Sequence, residues 1–459
     1  MKLKHIQHLY WRAGFGILPN DLEPLKDLKR KAVVDLLFKN SEKISPLNID
    51  TSELNQILKS GGPLSDVERK KIQQLSRKKS IELNMSWMQR MMKPWELLRE
   101  KMTLFWANVF VCEDNNVVYT QKYNNTLRTF ALGNFKDFVN AISKEAAMTK
   151  YLNTKQNKKQ KPNENFAREL MELFTLGEGH YTEEDIKESA KAFTGYSHNL
   201  EGDFVLRAFQ HDNSYKVFFG ETGNFDGADI IDIILKQRQC AKFICEKIYA
   251  YFVNDRLNAK HINEMVDVFY RDYNIKSLMH FVFCADWFYD DENIGIKIKS
   301  PVELLVGINH LVPIRFENKK QLLYLQRQLG QVLLDPPNVA GWKGSRSWID
   351  SNTISLRLKL PSILLNDAYI SKVENDESES MMLAKKQVLK NRVGKQFKIQ
   401  RDWNFFENCF KQVPSNKLQD YVLMAPLSST AEQYLSTLNK TSKQEYCVQL
   451  MSLPEYQMC

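Results

Sequence analysis

Apolar side chains recur along this chain mostly at helical spacing. Leu98, Met102, Phe105, Val109 and Cys112 fall at positions 0, +4, +7, +11 and +14 of one register, which predicts a long buried stripe on one helix. Leu127, Phe130, Phe138 and Ile142 continue the pattern through residues 118–152, and Ile230, Ile233, Ile234, Phe243, Ile244 and Ile248 carry it from Asp226 to Val253. Further helices are predicted near 258–271 and 276–288. Between 164 and 175 the pattern splits in two. At about 100° per residue, Phe166, Ala167, Leu170, Met171, Leu173 and Phe174 share one side, and Glu164, Asn165, Arg168, Glu169, Glu172 and Thr175 share the other. A convincing β signal occurs in one place. Residues 204–209 and 215–219 flank His211-Asp212-Asn213-Ser214, which predicts a hairpin with a polar tip. The fold class is therefore mainly α, a large multi-helix body with one small β-hairpin near 204–219. The strands are too few for a doubly wound sheet.

Start and stop signals sharpen these elements. Ser65 with Glu68, Thr182 with Asp185 and Ser300 with Glu303 each predict a capping box, in which side chain and backbone satisfy each other's free groups. Pro301 suits the first helical position. Asn163 is the expected N-cap of the 164–175 helix, and Gly177 its left-handed stop. Residues 41–63 read as a loop ending in Gly61-Gly62-Pro63. Three units are expected: a main helical body over 1–372, an acidic flexible linker over 373–380, and a small helical C-terminal region over 381–459 that docks on the body.

Composition narrows the class. Of 459 residues, 43% are hydrophobic and 26% charged, as in an ordinary globular protein. No apolar run reaches membrane-spanning length, and the opening residues leave no room for a signal peptide, so the cytoplasm is the default location. The net charge of +9 is spread among interspersed acids and bases, which argues against a nucleic-acid surface. Seven cysteines without Cys-x-x-Cys spacing read as reduced packing residues rather than a disulfide framework or a zinc site.

Candidate chemistry is sparse. Arg168 stands four residues from both Glu164 and Glu172, so one guanidinium could bridge two carboxylates. That face is either a solvated ladder or, with Asn165 and Glu169, the lining of a cleft. His211 beside Asp212 could orient an imidazole for acid–base work, although Asp-Asn-Ser is also ordinary turn chemistry. Arg12, Gly14 and Gly16 suggest a tight corner, with anion contact by Arg12 as the functional alternative. Residues 330–349, rich in Pro and Gly, carry Trp342 and Trp348, which either pin the loop or offer a binding platform. A calcium loop around Gly179 fails, because Phe174 and Leu176 would occupy ligand positions.

Several of these runs resemble the bacterial family called domain of unknown function number 1800. They are Arg12-Ala13-Gly14-Phe15-Gly16, Met102-Thr103-Leu104-Phe105-Trp106, Asn163-Glu164-Asn165, Ala167-Arg168-Glu169-Leu170, Thr175-Leu176-Gly177, Tyr181-Thr182, Phe193-Thr194-Gly195, His211-Asp212 and the stretch from Pro336 to Trp342. The resemblance covers nearly the whole chain and implies no settled activity. It implies histidines at the positions held here by Ala107, Val109 and Phe174, a set that would suggest a metal site in relatives. With those ligand types replaced, no metal and no cofactor is expected here. Positions i and i+2 of one helix also point about 200° apart, so such a pair would need a helix break to share an ion. Relatives are often encoded beside an exported, hydrolase-like protein, which makes that protein the expected partner and co-export to the periplasm or envelope the alternative location. Two function classes follow. The first is a non-catalytic binding or maturation partner of that protein. The second is an enzyme, a hydrolase, with Glu169, Glu172, His211 and Asp212 as catalytic candidates and Arg12, Asn165, Arg168 and Trp342 as substrate-binding candidates.

Overall fold

Helices start where the caps place them. The computed structural model describes residues 1–58, 65–366, 397–438, 440 and 442–459. The glycine–proline turn at 61–63, the acidic linker at 373–380 and the first part of the C-terminal region lie outside the described residues. Ser65 opens the longest helix, Asp66–Met92, with its hydroxyl accepting from the Glu68 amide at 3.3 Å and Glu68 accepting from the Ser65 amide at 2.8 Å. Thr182 caps Glu183–Ala192 in the same way, and Ser300 caps Pro301–Leu311. Each such cap contributes about 1 kcal/mol.

One continuous apolar core runs through these helices, from Ile6 and Leu9 to Tyr446, Leu450 and Tyr456. The fold is mainly α, with three two-stranded antiparallel sheets among the described residues. Leu98, Met102 and Phe105 are buried as their spacing requires, and the helix that carries them, Leu97–Ala107, is buried on every side. It ends at Ala107, however. Val109 and Cys112 reach the core from the segment that follows, so the stripe outlasts the helix.

The strands stand where alternation put them but pair differently from the expected 204–219 hairpin. Strand β1 (Tyr196–His198) takes β2 (Phe204–Leu206), with Ser197 opposite Val205. Strand β3 (Lys216–Phe218) takes β4 (Glu221–Gly223). Phe219 and Gly220 join β3 to β4 at φ +46° and +78°. Positive φ at both central residues is what a tight two-residue hairpin needs, and it outcompetes closure of the longer 207–215 segment. The polar residues 211–214 therefore link two sheets. A third pair, β5 (Ile314–Phe316) with β6 (Ile399–Arg401), ties the C-terminal region to the body. Further on, the backbone of Gln457 to Cys459 lies against Lys297 to Lys299, with amide–carbonyl bonds of 2.8–3.1 Å. No described helix is long and apolar enough to cross a membrane.

Candidate functional site

The central helix departs from its wheel halfway along. It begins as Asn165–Glu169 and continues as a π-helix over Leu170–Thr175. Asn163 acts one step ahead of its expected cap position. Its Oδ1 accepts from the Asn165 amide at 3.1 Å, and Glu164 takes the cap. Gly177, at φ +86°, ends the element, and its amide donates to the Met171 carbonyl at 3.0 Å. The wider π turn rotates everything after Leu170 out of the 100° register. Arg168 therefore does not bridge to Glu172. Its guanidinium forks onto Glu183 at 2.8 and 2.8 Å and touches Glu164 at 3.4 Å. Glu172 instead accepts from the Tyr181 hydroxyl at 2.8 Å. These side chains are partly exposed, and such pairs contribute at most about 1 kcal/mol. Asn165 is exposed on the same surface. Glu169 is half-buried, makes no hydrogen bond among the described residues, and is held above the ordinary carboxylate range by burial and then by Glu172.

His211 and Asp212 are each committed locally. His211 Nδ1 lies 2.8 Å from the Thr194 carbonyl, so this nitrogen carries the proton. The Asp212 amide donates to the Thr194 hydroxyl at 2.7 Å. The Asp212 carboxylate accepts from the Ser214 amide at 2.8 Å and from its hydroxyl at 2.5 Å. Burial acts against its ionisation, and the Ser214 bonds outweigh that, leaving it below the usual range. No hydrogen bond of either residue reaches Glu169 or Glu172. Gly195 explains why the preceding motif is needed. It sits at φ +76°, and a Cβ there would lie 2.7 Å from the Arg207 carbonyl. Phe193-Thr194-Gly195 and His211-Asp212 thus form one clamp beneath the two hairpins.

Arg12 and Trp342, by contrast, line a common cleft of about 80 Å³. Six segments build it: the end of the first helix, Leu3–Arg12; Leu104 and Asn108; the end of Arg238–Phe252 with Asn254 and Asp255; Ile296 to Glu303; Gln331; and the loop from Trp342 to Trp348. Gly14 permits the corner after Arg12, since a Cβ there would lie 2.5 Å from the Leu97 side chain. The Gly14 carbonyl accepts from Lys101 Nζ at 2.8 Å. Asn108, just past the helix end, mimics a strand. Its Oδ1 accepts from the Trp342 amide at 2.7 Å and its Nδ2 donates to the Trp342 carbonyl at 3.0 Å. Gly341 must be glycine for this, because a Cβ there would sit 2.3 Å from Asn108 Oδ1. Trp342 and Trp348 are nearly buried, so they form walls rather than an open platform.

The charges of the cleft centre on Glu303. Its Oε1 is shared between Lys101 and Lys297, the latter at 2.8 Å, and its Oε2 accepts from the Ser300 amide at 2.8 Å. The carboxyl is fully buried, yet the two lysines hold it far below the ordinary range. Arg12 is buried too, with one hydrogen bond, from Nη2 to the Asn293 carbonyl at 2.9 Å, and its Nε has no partner. Lys299 lies behind, its Nζ 4.0 Å from the Trp11 ring and 3.7 Å from the Tyr456 ring. Arg357 donates to Gln457 and to the Lys299 carbonyl, and its Nη1 has no partner. Glu303 was legible only as a cap. Asn108 and Lys101 carried no signal beyond their places beside the Met102–Trp106 motif.

Ala107, Val109 and Phe174 are all buried, and the Phe174 ring meets Phe110 at 5.4 Å. The helix break that two ligands at 107 and 109 would need is present, since Leu97–Ala107 stops between them. Among the described residues no group of three or more His, Cys, Asp or Glu is placed to hold a metal. A family model described as "Protein of unknown function (DUF1800)" matches residues 8–458. No match is found among curated proteins or among solved structures.

Proposed function

We propose that this chain, which belongs to the DUF1800 family, acts by binding another protein rather than by catalysis. The observation that carries the reading is the apolar surface of the two hairpins. Val205, Leu206, Phe209, Tyr215 and Val217 are all exposed, Phe209 to 71% and Tyr215 to 77%, whereas outside residues 200–217 the exposed large apolar residues lie far apart in the sequence. A concentration of this kind marks an interaction site more often than chance exposure does. The base beneath it is firm. Phe218 is fully buried, and Thr194 clamps residues 211 and 212. The backbone there is also blunted against strand pairing. The Val217 amide donates to Glu188 and the Phe219 amide to Asp185, each at 3.1 Å. Side chains, not a strand edge, are what this surface offers.

The occupant proposed is the exported, hydrolase-like protein encoded beside relatives of this chain, and the compartment follows from that partner. Co-expression of the two, followed by gel filtration, is expected to give a stable complex. Phe209→Ser combined with Tyr215→Ser is expected to weaken it at least tenfold without moving the melting temperature. A complex that forms equally well with the double variant, or no complex at all, refutes the reading.

One feature favours the enzyme alternative. The π-helix at Leu170–Thr175 follows directly on Glu169, whose carboxyl is half-buried, raised and without a partner. Such turns recur at functional sites. A general acid here would be Glu169 alone, because His211 is held by Thr194. Glu169→Gln should then abolish any hydrolysis detected on an ester and glycoside panel while leaving stability unchanged. Activity that survives this substitution removes Glu169 from the chemistry.

A further inference from the structure

The cleft beside Arg12 carries more positive charge than its neighbours balance. Arg12, Lys101, Lys297, Lys299 and Arg357 gather around buried Glu303, and Cys459 and Asp255 are the other groups whose charge acts on Arg12. Asp255, at the exposed mouth, is taken by the Ser345 hydroxyl at 2.5 Å. Glu303 is saturated by Lys101, Lys297 and the Ser300 amide. Arg12 is left at 1% exposure with no carboxylate partner and an unpartnered Nε–H. Cys459, Glu303 and Asp255 act on Arg12 through space without an ion-pair contact among the described residues, and a buried cation with one donor unmade is costly. Lys297, which lines the same cleft, keeps 15% of its side chain exposed, so the cleft reaches solvent beside it.

We propose that this cleft binds an oxyanion group, a carboxylate or a phosphate, between the Arg12 guanidinium and the Lys297 ammonium. Guanidinium donors match the spacing of oxyanion oxygens, and the bond is charge-assisted on both sides. The cleft has room for a bound oxyanion, and a longer ligand would leave its remainder at the mouth, beside Asp255 and Ser345. Asn108 and Gly341 position the wall, since they fix the Trp342 backbone. The site stands apart from the hairpin surface and does not depend on a partner docking there.

The test is calorimetric titration of the full chain at constant ionic strength, with chloride as the reference. Four probes are used: inorganic phosphate, acetate, acetyl-glycyl-glycine and its C-terminal amide. Saturable one-to-one binding of phosphate or of a carboxylate is expected, weakened at least tenfold by Arg12→Gln and by Lys297→Met. Phosphate alone binding identifies a free tetrahedral anion. The peptide acid binding more tightly than acetate, with the amide silent, identifies the carboxylate terminus of a longer ligand. If Arg12→Gln does not fold, Lys297→Met decides. Failure of every probe to saturate, or wild-type affinity in Lys297→Met, overturns the proposal.

Discussion

Replacing Glu303 with alanine is expected to cost the fold about 3–5 kcal/mol, the range found when one partner of a buried ion pair is removed. Three groups depend on this carboxylate. Lys101 is fully buried, and without Glu303 its ammonium keeps the Gly14 carbonyl at 2.8 Å and a long contact to the Trp11 carbonyl at 3.4 Å. Lys297 loses its 2.8 Å partner. The Ser300 amide loses the acceptor that closes the capping box of Pro301–Leu311. The cap accounts for about 1 kcal/mol, and the stranded Lys101 charge for most of the rest. The double variant Glu303→Leu with Lys101→Met separates the two, because it removes both charges and keeps their volume. It is expected to recover much of the loss, since an apolar replacement of a whole buried pair is often neutral. Urea unfolding at pH 7 reads both values. A cost below about 1 kcal/mol for Glu303→Ala would mean that Lys101 loses its proton readily instead of remaining charged. The same carboxyl gives the wild type an acid limit. Its folded pKa is depressed, so its contribution is complete above the ordinary carboxylate range and is lost as the pH falls below it.

What the sequence disclosed, and what it hid, follows from how local each feature is. Caps depend on neighbours three residues apart, and Ser65, Thr182 and Ser300 perform as their spacing requires. Gly177 stops its helix because only a glycine takes that backbone cheaply. The stripe through Leu98, Met102 and Phe105 is equally local. The π-helix is not, because its backbone answers to the packing of Leu170, Met171 and Phe174 rather than to any residue type. Strands β5 and β6 are three residues each and far apart in the chain, so their pairing leaves no periodic trace. The cleft is the extreme case. Its six segments meet only in three dimensions, and nothing local sets Lys101 and Lys299 apart from the other lysines. Arg12 and Trp342 could be singled out because a charge among glycines and an aromatic in a proline-rich loop are locally odd. Glu169 and His211 met similar criteria, yet the folded chain gives them separate surroundings.

Lys299→Met is expected to stabilise the protein, and to do so by an amount that shrinks as the pH rises. Lys299 Nζ lies between the rings of Trp11 and Tyr456 and donates to the Tyr456 carbonyl at 2.7 Å, with no carboxylate in ion-pair reach. Burial pushes its pKa from 10.5 down to about 7. The Coulombic pull of Cys459 and Glu303 opposes that shift, and Arg357 and Lys101 add to it. A base with a depressed folded pKa binds its proton more weakly when folded than when unfolded. Below pH 7 both states are protonated, and folding bears the full cost of the buried charge. Between pH 7 and 10.5 the unfolded chain holds a proton that the folded chain has released. Stability therefore climbs with pH, by up to about 1.4 kcal/mol per unit. Methionine keeps most of the stem and removes the charge, so the gain should be several kcal/mol at pH 6 and should fade steadily by pH 9. Buried cysteines such as Cys240 and Cys447, whose pKa values are raised by burial, act in the opposite sense above pH 8. They are common to both proteins and cancel in the difference. Lys101, depressed to about 8 by burial, is likewise shared, although its coupling to Lys299 makes part of its shift respond to the substitution. Urea unfolding of both proteins at pH 6, 7, 8 and 9 gives the difference curve. A flat curve, or a loss of stability at pH 6, would show that the folded chain holds the Lys299 ammonium at no net cost.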